Sequence, residues 1–379
     1  MQPICFSALG NNDGAAIMAG LTLASVAGVG AAQWHHLCHR FNTSFEALAK
    51  GAVDNMDEEL AVKLTRALAR QQPARVEASL HWAAASSQHH LIPYTSEHYP
   101  PLLRHLPDAP LVLFVKGNAR RITEVQLAIV GSRNASLTGL ETTRRFATEL
   151  AHAGLTITSG MATGVDGAAH QGGLGVNGKT IAVTGTGPDI TYPRRHQRLE
   201  QSIIESSGAV ITEFWPGTGA RAGHFPRRNR LLAAMTLGTM VIEAKIRSGT
   251  LITANLAADM GREVLVVPGS INNPLTQGCH HLIQQGAALV TCTQDVLEQL
   301  PVKVRNNCAN VAQHSEKSDG ESLATDKLLA SVNYDVTSVD IITERSNLPV
   351  SEVLASLLHY ELRGLVAAVP GGYIKLRGK

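Results

Sequence analysis

The sequence predicts an α/β fold built on a doubly wound, mostly parallel sheet, with a helical segment before it and a small three-helix and hairpin domain after it. Three observations carry this expectation. From Leu127 to about Val290, short apolar runs alternate with amphipathic segments; residues 20 to 75 read as short helices without strands; and the chain ends on three helical patterns followed by two short apolar runs around a Pro-Gly-Gly turn. A chain of 379 residues is long enough for two or three domains.

The N-terminal helices are read in "LTLASVAGVGAAQWHHLCHRF", "SFEALAKG" and "MDEELAVKLTRALARQQ". The "GVG" turn between two helical patterns is similar to a helix-hairpin-helix, whose amides can hold a phosphate, and it fits a plain glycine turn at least as well. The central strands are read in "LAIVGS", "LTITSG", "TIAVTGTG", "AVITEF", "TMVIEA" and "EVLVVPGS". Each carries a small or acidic residue at or next to its end, and helical stretches such as "TGLETTRRFATELAHAG" lie between them. Strand, loop and helix in repetition imply right-handed crossovers with helices on both faces, and ligands of such sheets sit at the carboxyl ends of the strands. Residues 301–321 turn polar and lose periodicity, the pattern of a linker. The following segment has the order of a winged helix, with Gly371 and Gly372 suited to the hairpin turn. The predicted divisions are a helical domain over 1–80, the core with its lead-in over 81–300, the linker, and a winged helix over 322–379.

Composition excludes several function classes. Five cysteines, widely spaced and without a CxxC pair, read as reduced thiols, hence a cytoplasmic protein without structural zinc. The uncharged stretch 14–32 lacks a preceding Lys or Arg and is rich in glycine, so it is read neither as a signal nor as a membrane span. The His doublets at 35/36, 89/90 and 280/281 lack helical metal-ligand spacing, and no metal is expected. Net charge is only +2, yet residues 192–230 hold seven arginines against three glutamates, a local excess of +4. Concentrated charge on a near-neutral chain favours a discrete anionic ligand.

The chemistry-bearing residues cluster at the strand ends. "VGSRNAS" offers Gly131 for the turn, Ser132 as a helix cap and Arg133 where a phosphate would lie. The absence of GxGxxG and of a ribose-binding acid argues against a dinucleotide, and no cofactor is expected. In "SGMATGVDGAAH", Asp166 at a helix start is read as a cap before it is read as a ligand contact. "RSGTLITA" places Ser248, Gly249 and Thr250 at a helix N-terminus, where free amides seat an anion. Arg194, Arg195 and Arg198 follow Tyr192, and Arg227, Arg228 and Arg230 flank Phe225 and open a helix with no acid in that stretch. Cations there oppose the helix dipole, which implies a bound anion or an acidic partner. Arginines interleaved with aromatics are what a single-stranded nucleic-acid groove uses.

On these motifs the sequence resembles the DNA-processing protein A (DprA, also called Smf) family. The resemblance runs in order through "AIVGSR", "SGMATGVDGAAH", "GTGPDITYP", "GHFPRRNR", "IEAKIRSGTLITA", "GREVLVVPGSI" and "GCHHLIQQGA". It implies an extended Rossmann-like core, a SAM-like N-terminal domain and a C-terminal winged helix. It further implies a cytoplasmic, non-enzymatic, homodimeric protein that binds single-stranded DNA, shields it during DNA uptake in natural transformation, and loads the RecA recombinase. By motif, Arg133 and Arg194 match family DNA-binding positions, Arg194 standing where a lysine is usual, and Arg227, Arg228 and Arg230 fall in the signature segment. The expected DNA-contacting set is Gly131, Ser132, Arg133, Arg194, Arg195, Phe225, Arg227, Arg228, Arg230, Ser248, Gly249 and Thr250. Two rival readings stand beside this one. The sheet also resembles nucleotide phosphoribohydrolases, but Ile252 and Thr253 stand where their loop supplies a glutamate. A duplex-binding regulator is disfavoured because the helix that would enter the major groove, "VSEVLASLLHYELRG", carries glutamates and a single arginine, which suits a protein contact better.

Overall fold

Each apolar run in the central region becomes a strand because both its faces are covered. In the computed structural model, which describes residues 13–301, 304 and 327–376, the strands alternate side chains between two distinct cores. Leu127 and Ile129 point into one core with Met240 and Ile242, while Val130 and Val241 point into the other. Strands buried on both sides have no polar face to show, so they read as continuous apolar runs.

The chain opens with five helices, α1 (Asp13–Ser25), α2 (Ala31–Phe41), α3 (Phe45–Lys50), α4 (Glu58–Leu68) and α5 (Pro73–Ala84). Ser44 and Asp57 cap α3 and α4 by accepting from the amides of Ala47 and Leu60. Strands β1 (His89–Pro93) and β2 (Val112–Gly117) follow. Next come β3 (Gln126–Gly131), α6 (Leu137–His152), β4 (Thr156–Ser159), α7 (Val165–Leu174), β5 (Thr180–Val183), α8 (Gln197–Glu205) and β6 (Ala209–Thr212). The core closes with α9 (His224–Met235), β7 (Gly238–Ile242), α10 (Gly249–Asp259), β8 (Glu263–Val266), α11 (Gln277–Gln284), β9 (Ala288–Leu289) and α12 (Thr293–Gln299).

The nine strands form one sheet in the order β1-β2-β6-β5-β4-β3-β7-β8-β9. From β6 to β9 all pairings are parallel, and β1 and β2 are antiparallel additions at one edge. These two antiparallel strands lie in the stretch whose sequence reads only as a lead-in to the core. Helix α1 covers them, with Ile17 and Leu21 against Leu91, Val112 and Phe114, so the N-terminal helices and the sheet share a hydrophobic core. On one sheet face α6 and α7 bury Phe146, Leu150 and Val165; on the other α9 buries Leu231, Leu232 and Met235. Burying each such side chain contributes roughly 1.5 to 3 kcal/mol.

Winding proceeds from β3 through β4 and β5 to β6, and then α9 carries the chain back over the sheet to β7, on the other side of β3. β3 and β7 are therefore neighbours from which the chain winds in opposite directions. This is the switch point at which a crevice opens beyond the strand ends.

The chain divides into two compact units. Of the described residues, 13–135, 143–301 and 304 belong to the first, and 136–142 with 327–376 to the second. In the second unit α13 (Lys327–Ser331), α14 (Val339–Ser346) and α15 (Val350–Leu362) precede an antiparallel hairpin of β10 (Val366–Val369) and β11 (Gly372–Lys375), the winged-helix order. Its core holds Leu328, Val332, Ile342, Val353, Leu357 and Val366. Ser338 caps α14 by accepting from the Ile341 amide. The linker read over 301–321 lies almost wholly outside the described residues, as do Cys5 and Cys308. Among the described residues no helix is long and apolar enough to cross a membrane.

Candidate nucleic-acid interface

The crevice at the switch point is a cavity of about 570 Å³, open to solvent, at the carboxyl ends of β3 and β7. Gly131, Ser132, Arg133 and Asn134 form one wall, and Lys245, Arg247, Ser248, Gly249 and Thr250 the wall facing it. Phe225, Pro226 and Asn229 of α9 also line it.

Local backbone chemistry fixes the first wall. A Cβ on Gly131 would stand 1.9 Å from the Ile242 carbonyl oxygen, so only glycine lets β3 and β7 stay paired to their last residue. Beyond it the Ser132 amide donates to the Glu243 carbonyl (2.7 Å) and the Val165 amide donates to the Ser132 carbonyl (3.1 Å). These bonds hold the loop between β7 and the start of α7. The expected cap role of Ser132 is corrected: its hydroxyl accepts from the Asn134 amide at 3.2 Å, and Ser136, nearer the helix, accepts from Gly139 at 3.0 Å. Arg133 is thereby left exposed, its guanidinium 5.5 Å from the centre of the Phe225 ring, which in turn lies 5.5 Å from the Tyr192 ring.

The facing wall is the N-terminus of α10, as its sequence predicts, with Ser248 at the N-cap. Thr250 faces inward and donates to the Gly131 carbonyl at 3.0 Å, so it ties the two walls together. The Ser248 hydroxyl is buried and has no partner among the described residues. Lys245 and Arg247 are exposed beside it. These two cations are not in the set expected from the sequence, although they immediately precede the helix start.

The α9 arginines divide three ways. Arg228 is buried, only 4% exposed, and donates through Nη1 to the carbonyls of Gly160 and Val183, joining the ends of β4 and β5. Its Nε donates to the Asn229 side chain at 3.0 Å. A Cβ on Gly160 would come within 2.7 Å of both guanidinium nitrogens and of Asp166 Oδ2, which explains the glycine at that position. Burial pushes the Arg228 guanidinium down to about 10, with Asp166 opposing the shift. Burial raises the Asp166 carboxyl, against the pull of Arg228 and of the Ala162 amide, which donates to it at 3.2 Å. Asp166 thus serves the backbone of the loop before α7 and does not cap the helix, whose N-cap Gly164 has no side-chain cap bond, so the expected cap role is corrected; its side chain also lines the crevice.

Arg227 and Arg230 converge on a single acid. Arg227 donates to both oxygens of Glu213 at 3.1 Å, and Arg230 donates to Glu213 Oε2 and, at 3.2 Å, to Asp108. The Glu213 side chain is only 3% exposed, whereas Arg227 remains 59% exposed. The acidic partner that the helix position demanded is therefore supplied from within the chain. Arg194 and Arg195 are exposed on a short 3-10 turn after Tyr192, and they stand outside the residues that line the cavity.

The switch point of the doubly wound sheet thus carries a crevice with exposed cations, a buried carboxylate at Asp166, an aromatic ring on its rim and the N-terminus of α10. Comparison with known proteins specifies the class: the chain belongs to the family described as DNA recombination-mediator protein A, which matches residues 90–301, and the DprA winged helix domain matches residues 312–372. Protein Smf of Escherichia coli (strain K12) is 45% identical over 304 residues, covering 80% of this chain and 81% of that protein. The DNA processing protein DprA of Streptococcus pneumoniae is 46% identical over 201 residues, 53% of this chain and 71% of that one. Among solved structures, S. pneumoniae DprA superposes with a TM-score of 0.62 at 33% identity, covering 74% of this chain and 96% of that one. A DNA processing protein A from Helicobacter pylori, described for its single-stranded DNA binding mode, superposes with a TM-score of 0.50 at 25% identity, covering 56% and 98%.

Proposed function

We propose that this member of the DNA-processing family binds single-stranded DNA in the switch-point crevice. The observation that carries the reading is the grouping of exposed cations that make no ion pair among the described residues, Arg133, Lys245 and Arg247, with the Phe225 ring beside Arg133 and the N-terminus of α10. Phosphates meet the cations and the helix amides, and a base stacks near Phe225 and Tyr192. Arg194 and Arg195 extend the basic path beyond the cavity, and Arg227 keeps enough exposure to meet a backbone that leaves it. Arg228 and Arg230 act through the protein and shape the groove.

On this reading the protein shields single strands and loads RecA as a cytoplasmic homodimer, a binding function with no catalytic step. The site offers no assembled nucleophile and base: Asp166 is turned to a backbone amide and Glu213 is held by two arginines. The test is fluorescence anisotropy with labelled single-stranded and duplex oligonucleotides over a salt series. With about four phosphates neutralised, a fourfold rise in salt weakens binding roughly 50-fold. A flat salt response, or equal affinity for duplex, would contradict the reading. RecA loading is tested separately, by RecA filament assembly on strands pre-coated with a single-strand-binding protein.

A further inference from the structure

A second, smaller cavity adjoins α9 on the helix face turned away from the crevice. Phe225, Arg228, Asn229 and Leu232 line the crevice at helical spacing, whereas Arg227 and Arg230 line the second cavity from the opposite face. The cavity holds about 270 Å³ at the seam where α1 and α2 meet β2 and the segment after β6. Its floor is apolar, with Leu21, Val112 and Phe114, and Trp215 stands half-buried in its wall, the Arg75 guanidinium 5.9 Å from the ring centre. Its charged lining residues cancel, Arg227 and Arg230 against Asp108 and Glu213. Glu213 and Arg230 pair inside at 3 and 12% exposure, while Arg227 and Asp108 remain 59 and 47% exposed.

We propose that this cavity takes one unpaired base of the strand held in the crevice, a base that carries an exocyclic amino group. The inference rests on the crevice reading above, since the crevice delivers the strand. Three features select the occupant. First, balanced charges give neither a phosphate nor a charged side chain a net attraction, and an apolar floor with aromatic rings in its walls suits a flat, uncharged ring. Second, one donor and one acceptor remain at the exposed rim. Arg227 gives Nε and Nη2 to Glu213, and Asp108 accepts from Arg230 through Oδ1, so Arg227 Nη1 and Asp108 Oδ2 have no partner among the described residues. A base edge with an amino donor beside a ring acceptor, as in adenine or cytosine, meets both groups, and thymine has no amino group. Third, the two mouths adjoin. Pro226 lines the crevice and the next residue, Arg227, lines the second cavity, and both are exposed. A strand that crosses the first turn of α9 runs from one to the other, with a phosphate beside Arg227. Because the strand is already held, the base enters at the high effective concentration of a tethered ligand.

The test is photo-cross-linking of the full chain to an oligo-dC strand in which every cytosine is 5-iododeoxycytidine, followed by tryptic mapping. Trypsin separates the two sites: Phe225 falls in the peptide 222–227, whereas Trp215 falls in 199–221 and Phe114 in 105–116. The expected result is product on 222–227 and, in addition, on 199–221 or 105–116. Ala24→Met, at an exposed lining position on α1, puts a long flexible side chain into the cavity. It should cut the second product at least fivefold and keep the first, which also reports that the variant is folded. With 5-iododeoxyuridine in an oligo-dT strand, the ratio of the second product to the first should fall at least threefold. Product on 222–227 alone would overturn the base site and leave the crevice reading standing, whereas product on 199–221 or 105–116 with none on 222–227 would overturn the crevice reading. An Ala24→Met variant that keeps the second product would place the base outside the cavity and overturn the proposal. An unchanged ratio with oligo-dT would overturn the selection of an amino-bearing base.

Discussion

Two groups of cations lie within the same core, and their fates differ. Arg227, Arg228 and Arg230 form the densest basic cluster in the sequence, yet every one of them is engaged by the protein: Arg228 by two strand-end carbonyls, Arg227 and Arg230 by Glu213. Arg133, Lys245 and Arg247 are dispersed, and all three stand exposed around the crevice. Charge density along a chain therefore measures how much charge a region holds, and the folded pairing decides how much of it a ligand meets. Of the α9 cluster only Arg228 lines the crevice, and on the proposed reading the dispersed set supplies the attraction for DNA.

The comparison can be broken most forcefully at Arg228. Arg228→Ala would leave two buried carbonyls without their donor and Asp166 without its nearest cation, and a loss of about 3 to 5 kcal/mol is expected in urea unfolding. Arg133→Ala should leave the unfolding midpoint unchanged. Next comes Glu213→Gln, which strips the negative charge from a nearly buried acceptor and leaves Arg230, 12% exposed, with only Asp108 as an acid. About 2 kcal/mol of destabilisation is expected by the same unfolding assay.

A pH-dependent effect belongs to the buried layer behind the crevice. His170 is fully buried on α7; Thr180 donates to the Ile157 carbonyl, so the ring donates to Thr180 through Nδ1 and leaves Nε2 without a partner. Burial, then the charges of His196 and Arg228, push its value from 6.5 down to about 3. The folded state thus binds fewer protons than the unfolded state below pH 6.5. Stability is complete above that pH and falls as pH drops toward about 3, by up to about 1.4 kcal/mol per pH unit from this group. His170→Gln should flatten that part of the profile in unfolding curves taken between pH 4 and 7. The smallest effect is expected at Arg227→Ala. That side chain is 59% exposed, so its ion pair with Glu213 is screened by solvent and its loss should shift stability by about 1 kcal/mol or less.

Much of this arrangement is legible in the sequence because it is local. The parallel strands are continuous apolar runs, and Gly131 and the Ser248–Thr250 helix start follow their strands directly, so the crevice walls could be read in advance. The edge strands β1 and β2 were not, since the His doublet and closing proline of one and the turn-rich approach to the other mask their pairing with β6. β9, two residues long, carries no periodic signal. The engagement of the α9 arginines was hidden for a different reason. Arg230 meets Asp108 across 122 positions, and Arg228 meets Gly160 across 68, distances over which composition and spacing say nothing. The need for an acidic partner at the start of α9 was apparent from the helix dipole, and its identity required the fold.

The most direct measurement of the central claim is the salt dependence of single-strand binding for two variants of the full chain: Arg133→Ala/Lys245→Ala/Arg247→Ala and Arg227→Ala. If the dispersed cations carry the attraction, the triple variant should lose affinity and show a log–log salt slope shallower by about 2, at about 0.7 for each contact removed. Its unfolding midpoint should stay that of the wild type, and Arg227→Ala should change the slope by less than one contact. A triple variant that keeps the wild-type slope, with Arg227→Ala losing most of the binding, would contradict the account and return the DNA path to α9.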